Sequence, residues 1–167
     1  DEPRYAQVAR EMMLSGDYTT PRLNGQPWFE KPILYYWLVA TCYSVMGVSE
    51  VAARLPAALC AVILIFVVFM IGWKWQSRRC GIVAALMLAS SPMCISLGRA
   101  ASMDMLLTTT LTLSLGGFYF GFFTSKGNMF SAPFPYSRPL WPLLYVSYFS
   151  LALTLLAKGP VGLILFG

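Results

Sequence analysis

The sequence predicts an all-α fold, a polytopic membrane helical bundle with two further helices lying at the membrane surface. Three observations predict it. Of the 167 residues, 57% are hydrophobic and only 11% are charged, whereas a soluble domain carries about 25% charged residues. Charges punctuate the chain, so that residues 55–73, 81–98, 105–123 and 139–157 hold none, in runs of 18 or 19. A helix needs roughly 20 apolar residues to cross the hydrocarbon core. The first 47 residues differ, being mixed in charge, amphipathic and rich in turn residues. Together these features exclude a disordered chain, a coiled coil and an ordinary soluble enzyme. The chain starts at Asp1 and stops inside the apolar run 161–166. It is therefore read as an internal piece of a larger membrane protein, with a span before Asp1 and more after Gly167.

Residues 1–47 form an outer loop carrying both surface helices. The first is expected over 3–14. Asp1 or Glu2 can cap it and Pro3 suits its first turn. Tyr5, Val8, Ala9, Met12 and Met13 recur at the spacing of one helical face, and Gly16 is a natural stop. Such a helix lies on the membrane rather than across it. A connector follows, with turns marked by Pro21, Asn24, Gly25 and Pro27. Glu30 and Lys31, adjacent in sequence, are expected to point apart, each toward its own partner. Pro32 opens the second helix, 33–46, which is too short to span. Its Tyr35, Tyr36, Trp37 and Tyr43 suit an interfacial position, where aromatic residues anchor. Residues 48–167 then supply spans at about 50–73, 81–98, 105–123 and 140–157, and the start of another at 161. Pro56 and Pro92 fall inside two of these, as membrane helices tolerate.

Lys and Arg set the orientation. Residues 73–80 hold Lys74, Arg78 and Arg79, and residues 124–139 hold Lys126 and Arg138, with no acid in either segment. Two spans separate these segments, so they share the cytoplasmic side. All seven acidic residues fall on the other side: Asp1, Glu2, Glu11, Asp17, Glu30, Glu50 and Asp104. There the carboxylates Asp1 and Asp104 accompany the cations Arg4, Lys31, Arg99 and Lys158. Cations at headgroup depth suit a phosphate emerging from lipid, and a carboxylate beside them suits an acceptor that must be oriented or deprotonated. The chain has no His, which removes the commonest metal ligand and general base. Cys42, Cys60, Cys80 and Cys94 form no metal-like spacing. Plainer readings stand beside these. Asp104 also fits a helix cap, Arg99 a partner for Asp104, Arg4 a surface pair with Glu11, and Lys158-Gly159-Pro160 an ordinary turn. On residue chemistry alone a transferase, a transporter with an acidic relay and a structural subunit all remain open.

An ordered string of motifs then narrows the choice. Asp1-Glu2-Pro3-Arg4-Tyr5-Ala6, Arg10-Glu11-Met12, Ser15-Gly16-Asp17, Leu23-Asn24-Gly25, Phe29-Glu30-Lys31-Pro32 and Ala53-Arg54-Leu55-Pro56 follow one another in the first 56 residues. This string resembles the start of the bacterial membrane glycosyltransferases that include the lipid A 4-amino-4-deoxy-L-arabinose transferase and the protein O-mannosyltransferases. The Asp104 hairpin and Lys158-Gly159-Pro160 extend the likeness over most of the chain. The resemblance implies glycosyltransferase fold C, with the two surface helices in a periplasmic loop. It implies a bacterial inner-membrane enzyme with a periplasmic active face. Such an enzyme takes a sugar from polyprenyl (undecaprenyl) phosphate and transfers it with inversion. The acceptor would be of the lipid A type; a protein or glycan acceptor, as in the O-mannosyltransferases, is the alternative. A transporter or flippase of lipid-linked sugars is a further one. By position, Asp1 resembles the family's key loop carboxylate and Asp104 a second functional carboxylate. Arg4 and Lys31 resemble donor-phosphate ligands, and Tyr5 and Glu30 resemble residues lining the site. No metal, cofactor or nucleic acid is expected.

Overall fold

The computed structural model describes residues 2–123 and 140–159. Seven α-helices occur among them: α1 (Glu2–Ser15), α2 (Leu34–Met46), α3 (Glu50–Trp75), α4 (Arg78–Ala89), α5 (Pro92–Arg99), α6 (Met103–Phe123) and α7 (Trp141–Lys158). A small hairpin, β1 (Arg22–Leu23) and β2 (Gln26–Pro27), joins α1 to α2. The expected helix start at 161, the basic segment 124–139 and Asp1 lie outside the described residues.

The apolar stripe of α1 is real but faces protein. Val8, Ala9 and Met12 are fully buried in one core with Tyr35, Tyr36, Val39 and Ala40 of α2. The helix stops at Gly16, whose N–H bonds to Met12 O at 3.0 Å with a positive φ of 69°, a backbone geometry that glycine adopts without strain. At the hairpin Asn24 and Gly25 both take positive φ, 54° and 78°, which is the two-residue turn that fits the twist of paired strands. The Glu11 carboxylate accepts from both turn N–H groups, Asn24 at 2.9 Å and Gly25 at 3.1 Å. Glu11 thus anchors the connector and takes up its role there.

The aromatic residues of α2 depart from expectation. Tyr35, Tyr36 and Tyr43 are buried, and only Trp37 of the four is exposed. The cause is position: α2 lies among α1, α3 and α7, so its rings fill a core instead of ringing a lipid interface. Tyr35 Oη donates to Ala53 O on α3 at 3.3 Å, and Trp37 Nε1 donates to Tyr18 O at 2.7 Å.

Among the described residues three helices are long and apolar enough to cross a membrane, α3, α6 and α7, and the bent pair α4–α5 makes up to four. The chain is a multi-pass membrane protein. Large apolar side chains stay exposed along these helices, among them Val62 and Phe66 on α3, Leu86 and Met87 on α4, and Tyr145 and Phe149 on α7. Ser49 caps α3 by accepting from Ala52 N, and Ser77 caps α4 by accepting from Cys80 N, each at 3.2 Å. One expected span, 81–98, is not a single straight helix. It is two helices bent by 62° at residues 90–91. Pro92 has no N–H for the helix ladder and pushes the residue before it out of helical geometry. Ser91 is accordingly extended, at φ −65° and ψ 125°.

Small residues bring the spans together. A Cβ on Gly81 would meet Phe69 O at 2.5 Å, and one on Gly72 would meet Gly81 Cα at 2.8 Å, so α3 and α4 touch through backbone. On α6 and α7, Ser114 Oγ donates to Ser147 O at 2.9 Å and Ser147 Oγ donates to Ser114 O at 2.7 Å. Thr109 Oγ1 donates across to Cys60 O of α3 at 2.9 Å. This framework fixes where the ends of α3, α6 and α7 stand.

Candidate active site

The site residues gather at one end of the bundle. Asp104 stands in the first turn of α6, and Lys158 in the last turn of α7. A carboxylate near a helix N-terminus and a cation near a C-terminus are each in a favourable field. The two side chains form an ion pair. Antiparallel packing of α6 and α7 is what joins residues 54 positions apart. Asp104 does not serve as the cap. Ser102 does, its hydroxyl accepting from Asp104 N at 3.3 Å. Nor does Arg99 pair with Asp104: it is exposed and forms no ion pair among the described residues. Both members of the Asp104–Lys158 pair are partly exposed, 44% and 38% by side chain. Such a pair stabilises by about 0–1 kcal/mol, so its interest is in charge placement.

Tyr5 is the hub of the rest. It projects from α1 against α2, with its ring 6.1 Å from Tyr35 and 6.2 Å from Tyr36, centroid to centroid. Burial pushes its phenol above the ordinary value, the negative charges of Glu30 and Asp104 push it further, and Arg4 opposes them. Arg4, Glu30 and Asp104 therefore lie within electrostatic reach of one hydroxyl. Lys31 joins them through Glu30, Nζ to Oε1 at 3.6 Å. The expectation that these neighbours point apart is corrected. They sit in a bend ahead of α2, where adjacent side chains can converge as they cannot on a helix.

Of the expected site residues, Arg4, Tyr5, Glu30, Lys31 and Asp104 thus share one end of the fold, and Asp1 lies outside the described residues. Two further groups belong to the neighbourhood. Lys158 is there as the partner of Asp104. Tyr36 is fully buried, and its hydroxyl has no hydrogen-bond partner among the described residues. Burial raises its phenol to about 12, with Tyr5 and Glu30 adding to the shift. Nothing in sequence spacing separates Tyr36 from its neighbour Tyr35, whose hydroxyl is bonded; only the packing does. A cleft of about 490 Å³ opens on another face of α1, lined by Gln7, Arg10, Tyr43, Glu50 and Arg54 among others. None of the expected site residues lines it. Among the described residues no three His, Cys, Asp or Glu side chains gather as a metal site.

Chemically, the arrangement is two carboxylates and three cations around a half-buried phenol, at the level where spans end. That set can hold a phosphate and can orient an attacking oxygen.

Known proteins resemble this chain in sequence and fold. It is 34% identical over 121 residues to the undecaprenyl phosphate-alpha-4-amino-4-deoxy-L-arabinose arabinosyl transferase 2 of Pseudomonas fluorescens, a match covering 72% of this chain and 21% of that protein. The corresponding transferase of Yersinia enterocolitica is 34% identical over 120 residues, 71% of this chain and 22% of its own. The crystal structure of ArnT from Cupriavidus metallidurans in the apo state matches all of this chain with a TM-score of 0.88 at 29% identity, covering 29% of that chain. ArnT bound to undecaprenyl phosphate matches with a TM-score of 0.87 over 99% of this chain. The chain spans about a fifth of the length of the curated relatives it matches. Its fold is that of the amino-terminal portion of a fold-C membrane glycosyltransferase. Residues 1–167 match the family of dolichyl-phosphate-mannose-protein mannosyltransferases, PMT, and the chain belongs to that family.

Proposed function

We propose that the protein to which this chain belongs is a membrane glycosyltransferase that moves a sugar from undecaprenyl phosphate to a lipid A-type acceptor. The sugar is 4-amino-4-deoxy-L-arabinose, by likeness to relatives named for that donor. The enzyme sits in the bacterial inner membrane, and its working end is periplasmic. The observation that carries the reading is the meeting of Arg4, Tyr5, the Glu30–Lys31 pair and the Asp104–Lys158 pair at one end of the bundle. The match to ArnT bound to undecaprenyl phosphate supports the same donor.

In the reaction the bond from the anomeric carbon to the phosphate oxygen breaks, and a bond from that carbon to the acceptor oxygen forms on the opposite face. Negative charge develops on the departing polyprenyl phosphate. Lys31 and Arg4 stabilise it, since cations already in place act on charge that develops in the transition state. Asp1 orients the acceptor oxygen and takes its proton where it carries one. A phosphate acceptor carries none, and Asp1 then acts by positioning. Asp104, held by Lys158, is the second carboxylate of the site. Tyr5 and Glu30 line it.

Mass spectrometry of lipid A and of envelope glycans, with the complete gene present or deleted, tests the reading. Loss of the aminosugar from lipid A on deletion is the expected result. An unchanged lipid A with loss of protein-linked mannose would favour the second reading, a protein mannosyltransferase, which the family match also fits. Unchanged lipid A and unchanged glycans would contradict both.

A further inference from the structure

A buried hydroxyl with no partner lowers stability, and native folds keep few of them. Tyr36 carries such a hydroxyl, although its ring is fully enclosed. The neighbouring Tyr35 shows that this part of α2 can satisfy a phenol, since Tyr35 Oη reaches Ala53 O. The orphan lies beside the candidate site, because the Tyr36 ring packs on Tyr5. The nearby Glu30 carboxylate acts electrostatically on both phenols. Among the described residues Glu30 is itself held by Lys31 alone, in a long contact of 3.6 Å, with Glu30 half exposed. A contact of this kind yields readily to a better partner.

We infer that Tyr36 is a positioning residue for the donor lipid: when Lys31 leaves Glu30 for the donor phosphate, the released Glu30 carboxylate accepts a hydrogen bond from the Tyr36 hydroxyl. The exchange leaves neither group unpaired. It frees Lys31 by giving Glu30 another partner, and it satisfies a donor that the unloaded fold leaves orphaned. A phenol is protonated at neutral pH, so the donor is always ready. This inference rests on the reading of Lys31 as a phosphate ligand.

The test uses the full-length protein and undecaprenyl phosphate as the probe, with binding and melting temperature measured together. Tyr36→Phe is expected to weaken binding about tenfold, the scale of one hydrogen bond to a charged group. Its melting temperature should equal or exceed that of the wild type, because an orphaned donor is removed. In a Glu30→Ala background, where Lys31 is already released and no acceptor remains at position 30, Tyr36→Phe should have no further effect on binding. Unchanged binding in Tyr36→Phe would overturn the inference. So would the same loss in the Glu30→Ala background, or a large fall in melting temperature, which would make the hydroxyl structural. A wild-type protein that does not bind the probe would remove the phosphate reading itself.

Discussion

Asp104 and Lys158 carry opposite charges, share one contact and remain partly open to solvent. Solvent screening limits what such a pair contributes to stability. Lys158→Met is therefore expected to change unfolding free energy by no more than about 1 kcal/mol, as read by thermal melting in detergent. Tyr36 makes the opposite case, a neutral group enclosed. Its phenol rises from 10.0 to about 12 by burial, then by the charges of Tyr5 and Glu30. The folded state thus holds the proton more tightly than the unfolded one. The stability linked to that proton is complete below pH 10 and is lost as pH rises toward 12. Alkaline titration followed by phenolate absorbance should show a late-ionising tyrosine that disappears in Tyr36→Phe. A titration curve identical in the two proteins would show that Tyr36 is not protected. Tyr5, also raised, stays protonated at neutral pH.

Among the elements, α3 and α4 depend on glycine at their crossing. A side chain at Gly81 has no room between Phe69 O and Trp73 N. Gly81→Val is expected to destabilise by about 1–3 kcal/mol or more, seen as a lower melting temperature with no change in the chemistry of surviving protein. A wild-type melt would mean that the two helices do not pack as described. Much of this architecture is legible in the pattern of residues. The stripe Tyr5, Val8, Ala9, Met12 and Met13 marks α1, and the uncharged runs mark α3, α6 and α7. Three features are not legible, each for a physical reason. Pro92 is compatible with a continuous membrane helix as well as a broken one, so the 62° bend depends on packing. Aromatic residues at 35, 36 and 43 suit an interface or a core equally, and only the placement of α2 decides. At the site, the sequence marks the charged candidates one by one by charge and membrane side, and Tyr5 and Glu30 only through the family resemblance. It does not carry the Asp104–Lys158 pair, made by helices distant in sequence, or the difference between Tyr35 and Tyr36.

For the whole molecule, the proposed orientation sets the two ends of the bundle in different compartments. Cys80 begins α4 beside Arg78 and Arg79, while Cys42 lies on α2. Both are half-buried, and Cys60 and Cys94 are buried. An impermeant thiol reagent should reach Cys80 from the cytoplasmic side only. It should reach Cys42 only from the opposite side, and slowly, because burial raises that thiol above its ordinary range and the thiolate is the reactive form. Labelling of both from one side would reverse the topology. Residues from the first loop and from the turn before α6 are proposed to serve one lipid-linked headgroup. The most direct test is transfer of sugar from an undecaprenyl-phosphate donor by the purified full-length protein, compared with Lys31→Ala and Asp104→Asn. Each variant is expected to lose about 100-fold or more of its transfer rate while retaining wild-type expression and melting temperature. Wild-type transfer rates in both variants would contradict the account.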